Sequence, residues 1–282
     1  MNAVLQKKGG VGIIILARLD STRLPGKALR TAAGKEMLGY VVERARMVRG
    51  VSEIVLATTD RTVDDRLEEY AAACDLAVFR GSDVDVAGRV AACVRWRGWD
   101  AFVRINGDSP FIDPQTISSA VNLLYGLGGV SAAGLSDSHA QRGNMHAECA
   151  SLPLVACGSV TLAGYAGHDA TELPDMVTNV LRRTFPKGQS VEVCRASAFL
   201  AGYAAMHLPE HLEHVTKYFY DTRSIRIMNM ESGDPSLGEI QLAVDTEEDF
   251  ALFERMLARM DRPHTAYAAH EIIELYRECL HG

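Results

Sequence analysis

Apolar positions fall into short continuous runs and helical stripes that alternate along the first half of the chain. Residues 13–16 are apolar without interruption, as expected of a strand buried on both faces. From Lys35 to Arg49 the residues Met37, Leu38, Val41, Val42, Ala45 and Val48 lie on one helical stripe, which Gly50 would close. Residues 53–58 predict a second strand. Thr62 predicts the cap of a helix that buries Val63, Leu67, Tyr70 and Cys74. A third short strand is expected at 76–79, a helix over 84–96 and a fourth strand over 101–105, with Pro114 opening the next helix. Strands alternating with helices predict a mainly parallel sheet covered on both faces.

Between Leu124 and Asp175 the periodicity dissolves into a Gly-, Ala- and Ser-rich stretch containing His139, His146 and His168. An unstructured loop of that length is unusual in a compact domain, so an irregular excursion or a small subdomain is expected there. Order returns as a strand at 191–194, a helix over 210–220, a strand at 240–244, and helices over 247–260 and 268–280. No internal repeat or linker composition divides the chain. A single α/β domain over 1–282, with an atypical insertion at about 126–173, is the expectation.

Composition narrows the class. Of 282 residues, 48% are hydrophobic and 23% charged, as in soluble globular proteins. The net charge of −7 argues against non-specific nucleic-acid binding. The six cysteines, Cys74, Cys93, Cys149, Cys157, Cys194 and Cys279, form no CxxC pair and read as reduced, mostly buried thiols. The apolar run after the polar N-terminus is too short for a signal or membrane span. A cytoplasmic protein without membrane partners is expected.

Candidate chemistry begins where the first strand ends. In GIIILARLDSTRLPGK, residues 12–27, the strand empties into a loop carrying Arg18, Arg23 and Lys27, with hydroxyls at Ser21 and Thr22. Three crowded cations repel one another unless an anion sits among them, and a polyphosphate would relieve that repulsion. Ligands of open α/β sheets also collect outside the carboxyl ends of strands. Asp108 and Asp245 each follow an apolar strand, and a pair of carboxylates with substrate phosphates is a usual seat for Mg²⁺. Taken alone, Asp245 reads as the N-cap of the helix that starts at TEEDF. Gly107, beside Asp108, would let a ligand approach the backbone.

Other motifs fail. Ser21 to Lys27 lacks the glycine and the final hydroxyl of a P-loop, and the glycines at 9, 10 and 12 precede the strand instead of following it. His211 and His214, beside Glu210 and Glu213, lack an HExxH pattern and read as a surface or substrate-facing helix.

In order along the chain stand ARLDSTRLPGK, RINGDSPFIDP, FPKGQSVEV, EHVTKYFY and VDTEEDF. Together they resemble the cytidylyltransferase family that makes CMP-activated acidic sugars. The likeness is greatest to the spore-coat polysaccharide biosynthesis protein F branch, and more distant to the CMP-KDO and acylneuraminate synthetases. It implies a three-layer α/β/α, nucleotide-diphospho-sugar transferase-like (Rossmann-like) fold, and transfer of CMP from CTP to a sugar, expected to be an acidic 2-keto sugar, with Mg²⁺ as cofactor. By motif it carries over Arg18, Lys27 and Asp108 as catalytic residues, and Arg18, Ser21, Thr22, Arg23, Lys27, Arg80, Ser82 and Arg89 as nucleotide-binding residues. Asp108 and Asp245 would hold the metal, and Gln189, Glu192 and Glu213 would line the sugar pocket. Asp85-Val86-Ala87 replaces the Ser-Gly-Thr of the sugar-acid synthetases, so cytosine selection is less defined than phosphate binding. The family also suggests a homodimer. Two alternatives stand beside this reading: another nucleotide or sugar phosphate as substrate, or a non-catalytic nucleotide-binding member of a glycan pathway.

Overall fold

The computed structural model describes residues 9–126, 159–163 and 173–281. Its main sheet has eight strands. The first is β1 (Val11–Leu16), and a two-strand ribbon, β2 (Thr31–Ala32) and β3 (Lys35–Glu36), leads into α1 (Met37–Ala45). Then come β4 (Glu53–Thr59), α2 (Asp65–Ala73), β5 (Ala77–Gly81), α3 (Val86–Arg97), β6 (Ala101–Asn106) and α4 (Pro114–Leu124). β7 (Ser159–Ala163), β8 (Met176–Thr178) and β9 (Glu192–Arg195) follow, then α5 (Ala196–Tyr203), α6 (Pro209–Glu213), α7 (Lys217–Thr222), β10 (Ile227–Glu231), α8 (Glu247–Ala258) and α9 (Ala269–His281).

The sheet order is β5-β4-β1-β6-β9-β8-β10-β7. β5, β4, β1 and β6 run parallel, whereas β9 lies antiparallel between β6 and β8, and β7 antiparallel beside β10. The carboxyl ends of β1 and β6 are therefore neighbours, with Leu16 opposite Asn106. That edge is where the basic loop and Asp108 leave the sheet.

Burial follows strand alternation. Ile13, Ile15 and Ile105 face α1, α2 and α4, and Ile14 and Phe102 face α3 and α5. A third cluster joins α8 and α9 to Met37, Tyr40, Phe111 and Leu24 of the basic loop. The three-layer arrangement expected from the motifs is the one observed.

Several local expectations change. The first helix ends at Ala45, short of the turn that holds Gly50. Thr62 begins a 3-10 turn, α2 starts at Asp65, and Val63 is 42% exposed because it precedes the amphipathic stripe. The helix expected over 210–220 breaks into α6 and α7 at Val215, a buried residue with φ 55. Residues 240–244 form no sheet strand; only Gln241 bridges, to Lys187, and the chain bends at Ala243. Most of the irregular stretch, with His139, His146, His168, Cys149 and Cys157, lies outside the described residues. Cys93, Cys194 and Cys279 are buried free thiols and Cys74 is half-buried. No helix among the described residues is long and apolar enough to cross a membrane.

Candidate active site

The basic loop is held by its own apolar residues. Leu19 and Leu24 are buried, the Gly26 amide donates to Leu19 O at 2.7 Å, and the Lys27 amide donates to Leu24 O. Gly26 adopts φ 70, which a side chain would disfavour. The buried Asp64 carboxylate fixes the loop from below. It accepts from the Leu19 amide at 2.7 Å and from the Thr59 hydroxyl at the end of β4. Asp64 carries no motif, and only tertiary contacts reveal its role.

Asp108 and Asp245 reach the same point from distant segments. Lys27 Nζ donates to Asp108 Oδ2 at 3.0 Å, to Asp245 Oδ1 at 2.8 Å and to Val244 O at 2.9 Å. Arg23 Nη2 lies 3.1 Å from the other Asp245 oxygen. The backbone reinforces this junction, because the Val244 amide donates to Asp108 O at 2.9 Å.

The FPKGQ segment clamps the approach to Asp245. Lys187 O accepts from the Leu242 and Ala243 amides, and the Lys187 amide donates to Ile240 O. Gly188, with φ 92, permits this approach: a Cβ there would lie 2.5 Å from Ala243 N. Gln189 is buried within the clamp, its side-chain amide donating to Phe111 O and its backbone carbonyl accepting from Asn179 Nδ2.

Asp245 and Gly107 differ from what the sequence predicts. Asp245 does not cap α8. Thr246 does, in a capping box with Asp249, which leaves the Asp245 carboxylate directed at Lys27. Gly107 does not make room for a ligand. A Cβ there would lie 2.9 Å from Ala17 Cβ and 3.1 Å from Leu16 O, so the absent side chain serves the close approach of β6 to β1.

The three loop cations do not stand unopposed. Each loop cation has a carboxylate of the chain itself as partner. Arg18 pairs with Asp83 at 3.1 Å and Asp20 at 3.4 Å, Arg23 pairs with Asp245, and Lys27 with both acids. Arg61 joins the Asp20 and Asp83 carboxylates to the same rim. The loop therefore needs no external anion for neutrality. Arg18 and Arg23 remain accessible, with side chains 46% and 65% exposed, and Ser21 and Thr22 line the open rim.

The remaining expected residues divide. Ser82 and Arg89 adjoin Arg18: Arg89 Nη1 donates to Ser82 O at 2.9 Å, and Asp83 pairs with Arg18. Arg89 is buried, its Nε has no hydrogen-bond partner among the described residues, and burial pushes its guanidinium pKa down. Asp85, in the divergent segment, caps α3 by accepting from the Gly88 amide at 2.6 Å. Arg80 turns toward α2, where it binds Asp65, Glu68 and the Thr59 and Arg61 carbonyls. Glu213 is exposed on α6. Glu192 is buried, taken up by Arg104, Thr216 and Tyr220. Burial raises its pKa, but the Arg104 charge and the two hydroxyls outweigh this and hold the carboxyl below the usual range.

The donor set at the junction suits a hard cation. Two carboxylates and one backbone carbonyl meet at a single ammonium, and all are oxygen donors of the kind Mg²⁺ takes. Glu210, His211 and Asp221 also lie close together, but Lys217 binds Asp221 at 2.7 Å and approaches Glu210, so an ammonium already balances those acids.

Residues 12–127 match the family model described as Cytidylyltransferase. The chain is 26% identical over 269 residues to the spore coat polysaccharide biosynthesis protein SpsF of Bacillus subtilis (strain 168), covering 93% of this chain and 92% of the relative. It is 36% identical over 118 residues to the 3-deoxy-manno-octulosonate cytidylyltransferase of Anaeromyxobacter sp. (strain Fw109-5), covering 41% of this chain and 47% of that relative. Here the chain matches only about half of the relative's length. Among solved structures, a cytidylyltransferase from Leptospira borgpetersenii superposes with TM-score 0.74 at 23% identity, covering 95% of this chain and 94% of that one. A CMP:2-keto-3-deoxy-manno-octonic acid synthetase complexed with CTP superposes at 0.55 and 20% identity, covering 88% and 98%. At those identities the structural likeness establishes the fold. The resemblance to cytidylyltransferases, read from the motifs, is borne out.

Proposed function

We propose that this chain transfers CMP from CTP to a sugar, releasing pyrophosphate, and that the acceptor is an acidic 2-keto sugar for surface polysaccharide synthesis. The convergence of Lys27, Asp108 and Asp245 carries the reading, because nucleotidyl transfer needs charges of both signs at one point. In the reaction a sugar hydroxyl oxygen attacks the α-phosphorus, the bond to pyrophosphate breaks in line, and the hydroxyl proton is lost. Such transfers depend on positioning and charge stabilisation more than on covalent catalysis.

Lys27 lies at the centre of the junction, 12% exposed, and would stabilise charge developing on the transferred phosphoryl group. Arg18 and Arg23 are accessible and would take the outer phosphate oxygens by exchanging carboxylate partners for phosphate. Ser21 and Thr22 would donate from the rim, and Arg89 with Ser82 would hold the nucleotide beside Arg18. Asp108 and Asp245 would hold Mg²⁺, which when bound neutralises phosphate charge and eases deprotonation of a hydroxyl.

The test is pyrophosphate release from CTP and Mg²⁺ over a panel of 2-keto sugar acids, neutral sugars and sugar phosphates. Release with CTP supports the reading. Folded protein that releases none with any nucleoside triphosphate refutes it. A second reading, transfer from another nucleotide, has one observation behind it: Asp85 is engaged as a helix cap in the segment that departs from the sugar-acid synthetases. Thermal shift with each nucleoside triphosphate separates the two, since the preferred one stabilises most.

A further inference from the structure

Arg104 opens the RINGDSPFIDP motif, where the resemblance gives it no role, and it lies on the strand that delivers Asp108. In the register of β6 and β9 it stands directly opposite Glu192, and its Nη1 donates to Glu192 Oε2. The other Glu192 oxygen accepts from Thr216 Oγ1 and from the Tyr220 hydroxyl, each at 2.6 Å. Tyr220 is itself fixed by Thr178 at 3.0 Å. Glu192 is 3% exposed and engaged on both oxygens, so it has little left to offer a sugar hydroxyl.

Arg104 is placed differently. Its side chain keeps 19% of its surface accessible, and its buried Nε has no hydrogen-bond partner among the described residues. Arg104 stands on β6 two residues before the strand ends at Asn106, on the run that leads directly to Asp108. A second guanidinium, Arg183, is bonded to Ser190 Oγ at 3.2 Å and also feels the Glu192 charge. Among the described residues Arg104 alone forms an ion pair with Glu192, and Arg183 stands nearby without one.

We propose that Arg104 seats the carboxylate of the acceptor sugar, and that Glu192 acts as a positioning residue that aims Arg104 without touching the sugar. The proposal rests on the cytidylyltransferase reading and adds the group that selects an acid. A carboxylate matches the planar fork of a guanidinium and accepts from more than one of its nitrogens. The clamp is itself built at some cost. Val215, buried with φ 55, breaks the α6–α7 segment one residue before Thr216, and a β-branched residue in that conformation persists only where its surroundings enforce it. The break brings the Thr216 hydroxyl to Glu192.

The experiment measures pyrophosphate release with 3-deoxy-manno-octulosonate and N-acetylneuraminate, each beside its methyl ester, with mannose and glucose 1-phosphate as further acceptors. The expected result is an acid used about tenfold or more better than its ester in kcat/KM, as loss of a charge-assisted pair implies. Arg104→Gln should abolish that preference by raising KM for the acid, with KM for CTP unchanged. Glu192→Gln should raise KM for the acid with little change in kcat, and Arg104→Lys should restore part of the preference. If Arg104→Gln fails to fold because Glu192 is left unpaired, the double variant Arg104→Gln/Glu192→Gln removes both charges and gives the same readout. Equal use of acid and ester, turnover of only mannose or glucose 1-phosphate, no turnover of either acid, or an acid preference that survives Arg104→Gln overturns the proposal. Protein that CTP and Mg²⁺ do not stabilise against heat fails the cytidylyltransferase reading itself, a separate outcome.

Discussion

Lys27 donates to Asp245 at 2.8 Å across 218 positions of sequence, and the same ammonium donates to Asp108 at 3.0 Å. A loop from the first strand and acids from the middle and end of the chain thereby share one charge-balanced point. Removing the ammonium leaves two carboxylates facing each other. Lys27→Ala should lower turnover by roughly 100-fold or more, the scale of losing one preorganised charge at a reacting centre. It should also destabilise the metal-free protein by roughly 1–3 kcal/mol through the groups left unpaired. Mg²⁺ should then raise Tm more in the variant than in the parent protein. An equal rise in both would argue against a metal at these acids.

The capping box separates two roles that adjoin in sequence. Thr246→Ala should cost about 1 kcal/mol of stability, the usual value of an N-cap, and leave kcat nearly unchanged. Asp245→Asn and Asp108→Asn should each reduce turnover by orders of magnitude with the fold retained. Chemical denaturation beside steady-state kinetics makes the comparison. Full Mg²⁺-dependent activity in Asp108→Asn would remove it from the metal site.

Gly107 has no space for a methyl group, with Ala17 Cβ and Leu16 O within 3.1 Å of where one would sit. Gly107→Ala should lower Tm and activity together, because the backbone shift it forces lies beside Asp108. A variant with unchanged Tm and lowered activity would instead point to a direct role at a ligand.

Asp64 acts on the basic loop from within the core. Asp64→Ala leaves the Leu19 amide without its acceptor, a loss of about 1–3 kcal/mol for a buried unsatisfied group. The loop should then hold nucleotide less well, so KM for CTP is expected to rise by more than kcat falls. Normal KM with lowered stability alone would make Asp64 a core residue without influence on binding.

Asp175 gives the fold an acid-sensitive link. Burial raises its pKa, but hydrogen bonds and charge from Arg226 outweigh that and hold it below its ordinary 3.8. A carboxyl whose pKa is lower in the folded state contributes its full stabilisation above the unfolded value. That contribution is lost as pH falls through the folded value. Melting curves between about pH 5 and 2 should therefore drop less steeply for Asp175→Asn than for the parent chain. Parallel curves would mean that the pair does not couple to folding.

Most of the sheet could be read from the sequence because buried parallel strands are apolar on both faces and their helices carry apolar stripes. That signal is local, and it fixed β1, β4, β5, β6, α1, α3 and α4 to within a few residues. The basic loop and Asp108 were legible for a related reason: charged residues that follow buried parallel strands must emerge at one edge of the sheet. Asp245 instead follows no sheet strand and is brought to that edge by the clamp at Lys187 and the Val244 amide on Asp108 O. Local signals misled where a neighbour distant in sequence decided the outcome. The helix over 210–220 has suitable composition, yet Glu192 and its partners draw Thr216 inward and break it at Val215.

What the sequence determined by itself was which residue types could meet phosphate and metal, and on which edge of the sheet they would stand. Only the tertiary structure decided who holds whom. It assigned the cap to Thr246, turned Arg80 toward α2, buried Asp64 beneath the loop and set Arg104 against Glu192. The physical reason is that hydrogen bonds and ion pairs act over a few ångströms, whereas their partners here lie tens to hundreds of positions apart. No local pattern carries that pairing; the register of β6 against β9 and the clamp at Lys187 and Gly188 do.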